Sequence, residues 1–248
     1  MTLLTGRRVV VTGGANGIGA VVARRFADLG ATGVVLDLAS ATADPPEGWT
    51  SAPVDVRDED SVREAVAESA RRLGGVDGVV AAAGVVPSWQ RLDALDLDDF
   101  DRVVAINARG VACTIKHVAP VLGPGSTITV VASLNSWRGD PNIVSYAASK
   151  HAALGVVRSA ALALGRSGVR VNAVAPGPIA TDALRGRMES RQDVTGLGVD
   201  DALRRAAEST ALGRIATAAE VADAIAFLTS DLSSGVTGQC VNVDGGIH

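Results

Sequence analysis

Short valine-rich runs constrain this chain more than any other feature. Residues 8–12 read RVVVT, 33–37 GVVLD, 78–82 GVVAA, 127–131 TITVV and 170–175 RVNAVA. Taken together they lack the polar/apolar alternation of a strand wetted on one face, so they fit strands buried on both sides, as in a parallel sheet covered by helices. Between them lie longer stretches with helical spacing, at 17–29, 61–73, 98–122, 145–165 and 218–229, and two shorter strands are expected at 52–55 and 240–243. Strands alternating with helices imply right-handed crossovers and a doubly wound α/β fold of about seven strands with helices on both faces. No internal repeat or linker-like tract divides the chain, so residues 1–248 read as one domain. Segment 181–212 breaks the alternation. It is polar, rich in Arg and Asp, and reads as a lid over a binding site.

Composition excludes several classes. Hydrophobic residues make up 47% of the 248 and charged residues 20%, enough for a sizeable core and too apolar for a disordered chain. A formal charge of −4 offers nucleic acid or anionic lipid no electrostatic attraction. The longest uncharged apolar run, 79–86, is far short of the roughly 18 residues a membrane span requires, and the first residues lack the apolar core of a signal peptide. Cys113 and Cys240 sit in apolar stretches and read as free thiols of a reducing cytoplasm.

Between the first strand and the first helix stands TGGANGIG, residues 12–19. Glycines there let the backbone approach a pyrophosphate seated on helix N-terminal amides. The spacing alone is a weak signal; its position in the first strand–helix–strand unit strengthens it. Asp37 ends the second strand 18 residues beyond Gly19, where a carboxylate can accept from a ribose 2′-hydroxyl and repels a 2′-phosphate. Leu38 follows, and the glycine loop holds no basic residue, which favours NAD over NADP.

The chain uses 21 Arg but only 2 Lys, and has a single tyrosine. Tyr146 and Lys150 nevertheless stand at i and i+4 of one helix and share a face. A free phenol, with a pKa near 10, is a poor base at neutral pH. A neighbouring ammonium stabilises the phenolate, which makes such a pair suited to general acid–base work. Ser133, just past the fifth strand, is in position to polarise an oxygen shared with Tyr146.

With these motifs the chain resembles the short-chain dehydrogenase/reductases of the compact, Rossmann-type kind. The resemblance covers essentially the whole length. It is carried by TGGANGIG, Asp55, AAAG at 81–84, NARG at 107–110, Ser133, YAASK at 146–150, PGPIAT at 176–181 and TGQCVNVDGG near the end. It implies a catalytic set of Ser133, Tyr146 and Lys150. Asn107 would kink the long helix and hold a water leading to Lys150. The NAD-binding residues it implies are Gly13, Asn16, Gly17, Ile18 and Gly19 in the loop, and Asp37 and Leu38 at the ribose. Asp55 and Val56 would contact adenine, and Ala83 and Gly84 would lie beside the cofactor. Pro176, Gly177, Ile179 and Thr181 would hold the nicotinamide, with Tyr146 and Lys150 at its ribose. The family commonly has Asn-Asn-Ala-Gly where this chain has Ala81-Ala82-Ala83-Gly84, so any side-chain bond from those asparagines is lost. A homotetramer assembled through the helices at 98–122 and 145–165 is also implied.

The expected reaction is hydride transfer between NAD and a secondary alcohol or ketone. A 3-oxoacyl-carrier ketoreductase is the alternative and a non-catalytic nucleotide sensor a distant one. Trp89, Asn135, Trp137 and Ile143, with Val85 and the 181–212 segment, are the candidate substrate contacts. His117, His151 and His248 show no metal-ligand spacing, and no metal site is expected.

Overall fold

The computed structural model describes residues 2–41, 44–179 and 198–247. Seven strands form one wholly parallel sheet: β1 Arg8–Thr12, β2 Thr32–Asp37, β3 Thr50–Pro53, β4 Val76–Ala81, β5 Leu122–Val131, β6 Arg170–Pro176 and β7 Cys240–Val243. Their order is β3-β2-β1-β4-β5-β6-β7. The winding reverses between β1 and β4. In such sheets the crevice beyond the carboxyl ends of these two strands is where ligands bind.

The missing alternation now has its physical account. Val9 and Val11 pack into one hydrophobic layer and Val10 into the other; Val35 and Val80 join the first, Val34, Leu36, Val79, Ile128 and Val130 the second. Period-2 patterning is present, but both faces are apolar, so it separates two cores rather than core from solvent. The first layer lies under α1 Gly17–Asp28 and α7 Ala218–Thr229. The second lies under α2 Glu59–Leu73, α4 Gly110–Val118 and α5 Val144–Leu164.

Helix ends follow local chemistry. Asp58 caps α2 by accepting from the Asp60 and Ser61 amides at 3.0 and 3.4 Å, and Gly74 ends it at φ 69°. That cap starts the helix two residues before the expected 61. Thr217 and Glu220 form a reciprocal capping box on α7.

Two expectations are corrected. The helix expected over 98–122 is four pieces: α3 Leu97–Val104, a π turn at Ala105–Arg109 where Asn107 was expected to kink it, α4, and a 3-10 turn at Ala119–Val121; the chain joins β5 already at Leu122. The strand expected at 52–55 runs Thr50–Pro53. Pro53 is tolerated because β3 is an edge strand. Among the described residues, no helix is long and apolar enough to cross a membrane, and no three His, Cys, Asp or Glu side chains cluster as metal ligands.

β5 carries a stability defect in its centre. The hydroxyls of Thr127 and Thr129, on the face of Val131, are buried without a hydrogen-bond partner among the described residues. An unpaired buried hydroxyl costs free energy that an isosteric methyl does not. Thr129→Val is therefore expected to raise unfolding stability by about 1 kcal/mol, with an unchanged urea m-value. A loss of stability instead would show that the hydroxyl is satisfied in solution.

Candidate active site

A cleft of about 1040 Å³ opens over the carboxyl ends of the strands. Its floor is set by the approach of two loops. A Cβ on Gly13, which has φ 67°, would lie 2.5 Å from the Ala83 Cα and 2.6 Å from its nitrogen. A Cβ on Gly19 would run into the Gly13 carbonyl. The loop after β1 thus folds on itself and against the loop after β4 only because both positions lack a side chain. Gly17 has φ 54° and open space around it. The first turn of α1 stands there with its amides towards the cleft, a cradle shaped for a phosphate. The alanines that replace the expected asparagines serve this packing: the Ala82 amide donates to the Thr12 carbonyl at 3.0 Å, joining the two strand ends.

Asn16, Ile18, Asp37, Leu38, Asp55, Val56 and Gly84 line the same cleft. The Asp37 carboxylate is fixed from two sides, by the Ala15 amide at 2.9 Å and the Leu38 amide at 2.8 Å. Asp55 is gripped in two-pronged fashion by Arg57, at 3.0 and 2.6 Å, and that guanidinium holds its carboxyl below the usual carboxylate range. On the opposite wall stand Pro176, Gly177 and Ile179. Gly177 donates to the Val243 carbonyl at 3.1 Å, and a Cβ on it would come within 2.8 Å of the Asp244 Cβ. Thr181 lies outside the described residues.

The three residues expected to carry the chemistry all line this cleft. Lys150 is buried, and its ammonium donates to the Val131 carbonyl at 2.8 Å. It stands 5.6 Å from the centroid of the Tyr146 ring, one helical turn away. The Tyr146 phenol is half-buried and makes no hydrogen bond among the described residues. The Ser133 hydroxyl accepts from the Asn135 amide at 3.2 Å, which leaves its own proton to give. Ser136 takes the Ser133 amide at 3.2 Å and completes the turn.

Asn107 sits behind this set, wholly buried on the π turn. Its side chain accepts from the Val85 amide and donates to the Val85 carbonyl, both at 2.8 Å, and donates to the Ser149 hydroxyl at 3.1 Å. Ser149 passes the link to the Tyr146 carbonyl at 2.8 Å. A Cβ on Gly84 would lie 3.2 Å from Asn107 Oδ1 and 3.6 Å from Lys150 Nζ, so the β4 loop, the helix break and the lysine form one packed unit. Ser149 was not singled out in the sequence, although it sits inside YAASK.

Val85, Trp89, Asn135 and Ile143 line the cleft, as the substrate expectation required. Trp137 does not: it is 39% exposed and faces away. Leu134, Asp140 and Pro178 were missed; Ala202, Arg205 and Ala206 of α6 Val199–Glu208, inside the expected 181–212 segment, line the cleft as well. Their i, i+3, i+4 spacing was readable. What the sequence lacked was the position of that helix over the crevice. His117 contacts Glu59 at 3.2 Å and His151 the Ala147 carbonyl at 2.8 Å; neither lines the cleft, and His248 lies outside the described residues.

A dinucleotide-shaped crevice ending in a Ser, Tyr and Lys set defines a nucleotide-binding oxidoreductase class. Comparison with known proteins then fixes the family. Residues 13–248 match the family model described as "Enoyl-(Acyl carrier protein) reductase". The (-)-isopiperitenol/(-)-carveol dehydrogenase of Mentha piperita, described as mitochondrial, is 39% identical, over 99% of this chain and 94% of that protein. The structure of levodione reductase superposes with a TM-score of 0.89 at 31% identity, over 98% of this chain and 97% of the other. That of NAD+-bound xylitol dehydrogenase gives 0.89 at 26%, over 98% and 99%. The chain belongs to the short-chain dehydrogenase/reductase family.

Removing the Asn107 side chain leaves the half-buried Val85 amide and carbonyl without these partners. Asn107→Ala is expected to lower unfolding stability by about 3 kcal/mol. Hydrogen exchange at the Val85 amide should accelerate in that variant. An unchanged urea midpoint would mean that water replaces the amide group without cost.

Proposed function

We propose that the protein is an NAD-dependent dehydrogenase that exchanges hydride with the carbon of a secondary alcohol or ketone. One observation carries this reading. A phenol with no hydrogen bond among the described residues stands one turn from a buried ammonium, in the same cleft as the glycine cradle and a serine hydroxyl with a proton to donate. When bound, the nicotinamide supplies the hydride acceptor or donor. Every other requirement falls to the chain. In the oxidative direction Tyr146 takes the hydroxyl proton as the C–H electron pair leaves with hydride, so the alcohol loses two electrons and two protons' worth of hydrogen to become a carbonyl. Ser133 donates to the oxygen while it carries negative charge. Lys150 stabilises the phenolate form of Tyr146. Asn107 acts through position, holding the Val85 loop against Ser149 and so the helix that bears both groups. The water relay from Asn107 to Lys150 belongs to this proposal as well.

The glycine loop would hold the pyrophosphate, Asp37 the adenosine ribose, Asp55 and Val56 the adenine, and Pro176, Gly177, Ile179 and Thr181 the carboxamide side. Two features support NAD over NADP. The Asp37 carboxylate is pinned by two amides, and Arg57 is already neutralised by Asp55. The xylitol dehydrogenase neighbour was captured with NAD+. We further propose one nucleotide-binding domain per chain, with 181–212 as its substrate arm, and a homotetramer. The outward face of α5 supports assembly, since Ala148, Ala152 and Gly155 are exposed there and Leu162 is 86% exposed. A cytoplasmic location is supported by the free thiols of Cys113 and Cys240.

Tyr146→Phe should still bind NADH, read by its fluorescence, while kcat falls by about 10²–10⁴. Near-normal turnover would remove the mechanism. With a panel of secondary alcohols, kcat/KM should favour NAD over NADP by on the order of 100-fold, the effect of about 3 kcal/mol of like-charge cost at Asp37. Asp37→Ser should narrow that ratio, and parity in the wild type would refute the assignment.

A further inference from the structure

All but one of the charged side chains lining the cleft are engaged by the protein itself. Asp37 is held by two amides, and Asp55 and Arg57 hold each other. Arg102 is bound to Asp99 at 2.6 Å, Lys150 to the Val131 carbonyl, and Asp140 accepts from the Asn142 amide at 2.9 Å. The Arg205 side chain alone has no ion pair or hydrogen bond among the described residues. Its neighbour makes the contrast. Arg204 points outward and takes both nearby acids of α6, Asp201 at 2.6 Å and Glu208 at 3.9 Å. Arg205 is exposed as well, but it is turned about 100° around the helix from Arg204 and lines the cleft with Ala202 and Ala206, whose methyl groups leave the guanidinium open to a ligand.

We infer that Arg205 binds an anionic group, a carboxylate or a phosphate, carried by the substrate away from its reacting carbon. The inference rests on the dehydrogenase reading above and names a substrate class within it. Trp89, Leu134 and Ile143 line the cleft as an apolar wall suited to the hydrocarbon part of such a molecule. A guanidinium offers paired donors in the geometry that carboxylate and phosphate oxygens accept, and it remains charged at every working pH.

The test uses the wild-type enzyme with NAD and a length series of straight-chain acids bearing a secondary hydroxyl next to the terminal methyl. Their neutral N-methylamides serve as matched controls, and phosphate monoesters of the corresponding diols form a third arm. At the best length, kcat/KM for an anion should exceed that for its amide by about tenfold or more. The acid and phosphate arms identify which anion is taken. In Arg205→Gln the anion-to-amide ratio should fall to near one, and Arg205→Lys should restore part of it. The ratio should also fall with rising salt. Oxidation of the amides without any anion preference would overturn the inference while leaving the dehydrogenase reading in place. So would a ratio unchanged in Arg205→Gln, or a parallel loss of NADH affinity in that variant, which would assign the guanidinium to the cofactor. Absence of oxidation across all three arms would overturn both readings.

Discussion

The backbone of Gly13 lies against the backbone of Ala82 and Ala83, and the site is built outward from that contact. No residue with a side chain can occupy position 13 while the two loops stay this close. The contact falls where the sheet reverses its winding, between β1 and β4. It leaves the first turn of α1 and the carboxyl ends of β1 to β6 facing one crevice. Phosphate binding in this fold needs no dedicated cation, since helix amides and bare backbone supply the donors. That is consistent with a glycine loop free of basic side chains.

A second tie joins this floor to the proposed reaction centre. Asn107 bonds both polar atoms of the Val85 backbone and reaches Ser149 on α5, three residues past Tyr146 and one before Lys150. The asparagine can point this way because the helix around it is a π turn, which widens the backbone for five residues before α4 resumes. A helix irregularity at that depth is sustained because the Asn107 Oδ1 and both Nδ2 protons find partners inside the protein. The proton chemistry proposed for Tyr146 and Lys150 would therefore draw on this buried polar network as well as on the two residues themselves.

Much of this was legible in the residues. The valine runs showed a two-sided parallel sheet, and the glycine loop, Asp37, Ser133 and the Tyr146–Lys150 pair marked one cleft that the structure assembles. The failures have separate physical causes. The π turn is invisible to helical periodicity, because residues 98–118 keep an apolar face on both sides of it. Trp137 looked like a substrate contact because large aromatics usually seek burial, yet the turn after Ser136 swings it to solvent. Arg205 was one arginine among many in a polar segment. Only the seating of α6 separates it from Arg204.

Sequence alone determined the layer architecture, the place of the cradle and the candidate reactive groups. Each of these depends on local properties: burial of β-branched runs, glycine's lack of a side chain, the chemistry of phenol, ammonium and hydroxyl. Tertiary structure decided which groups meet, which charges are already neutralised and which remains open to a ligand. Those are outcomes of contacts between segments far apart in the chain, such as Val85 with Asn107 or Lys150 with the Val131 carbonyl, and no local pattern encodes them.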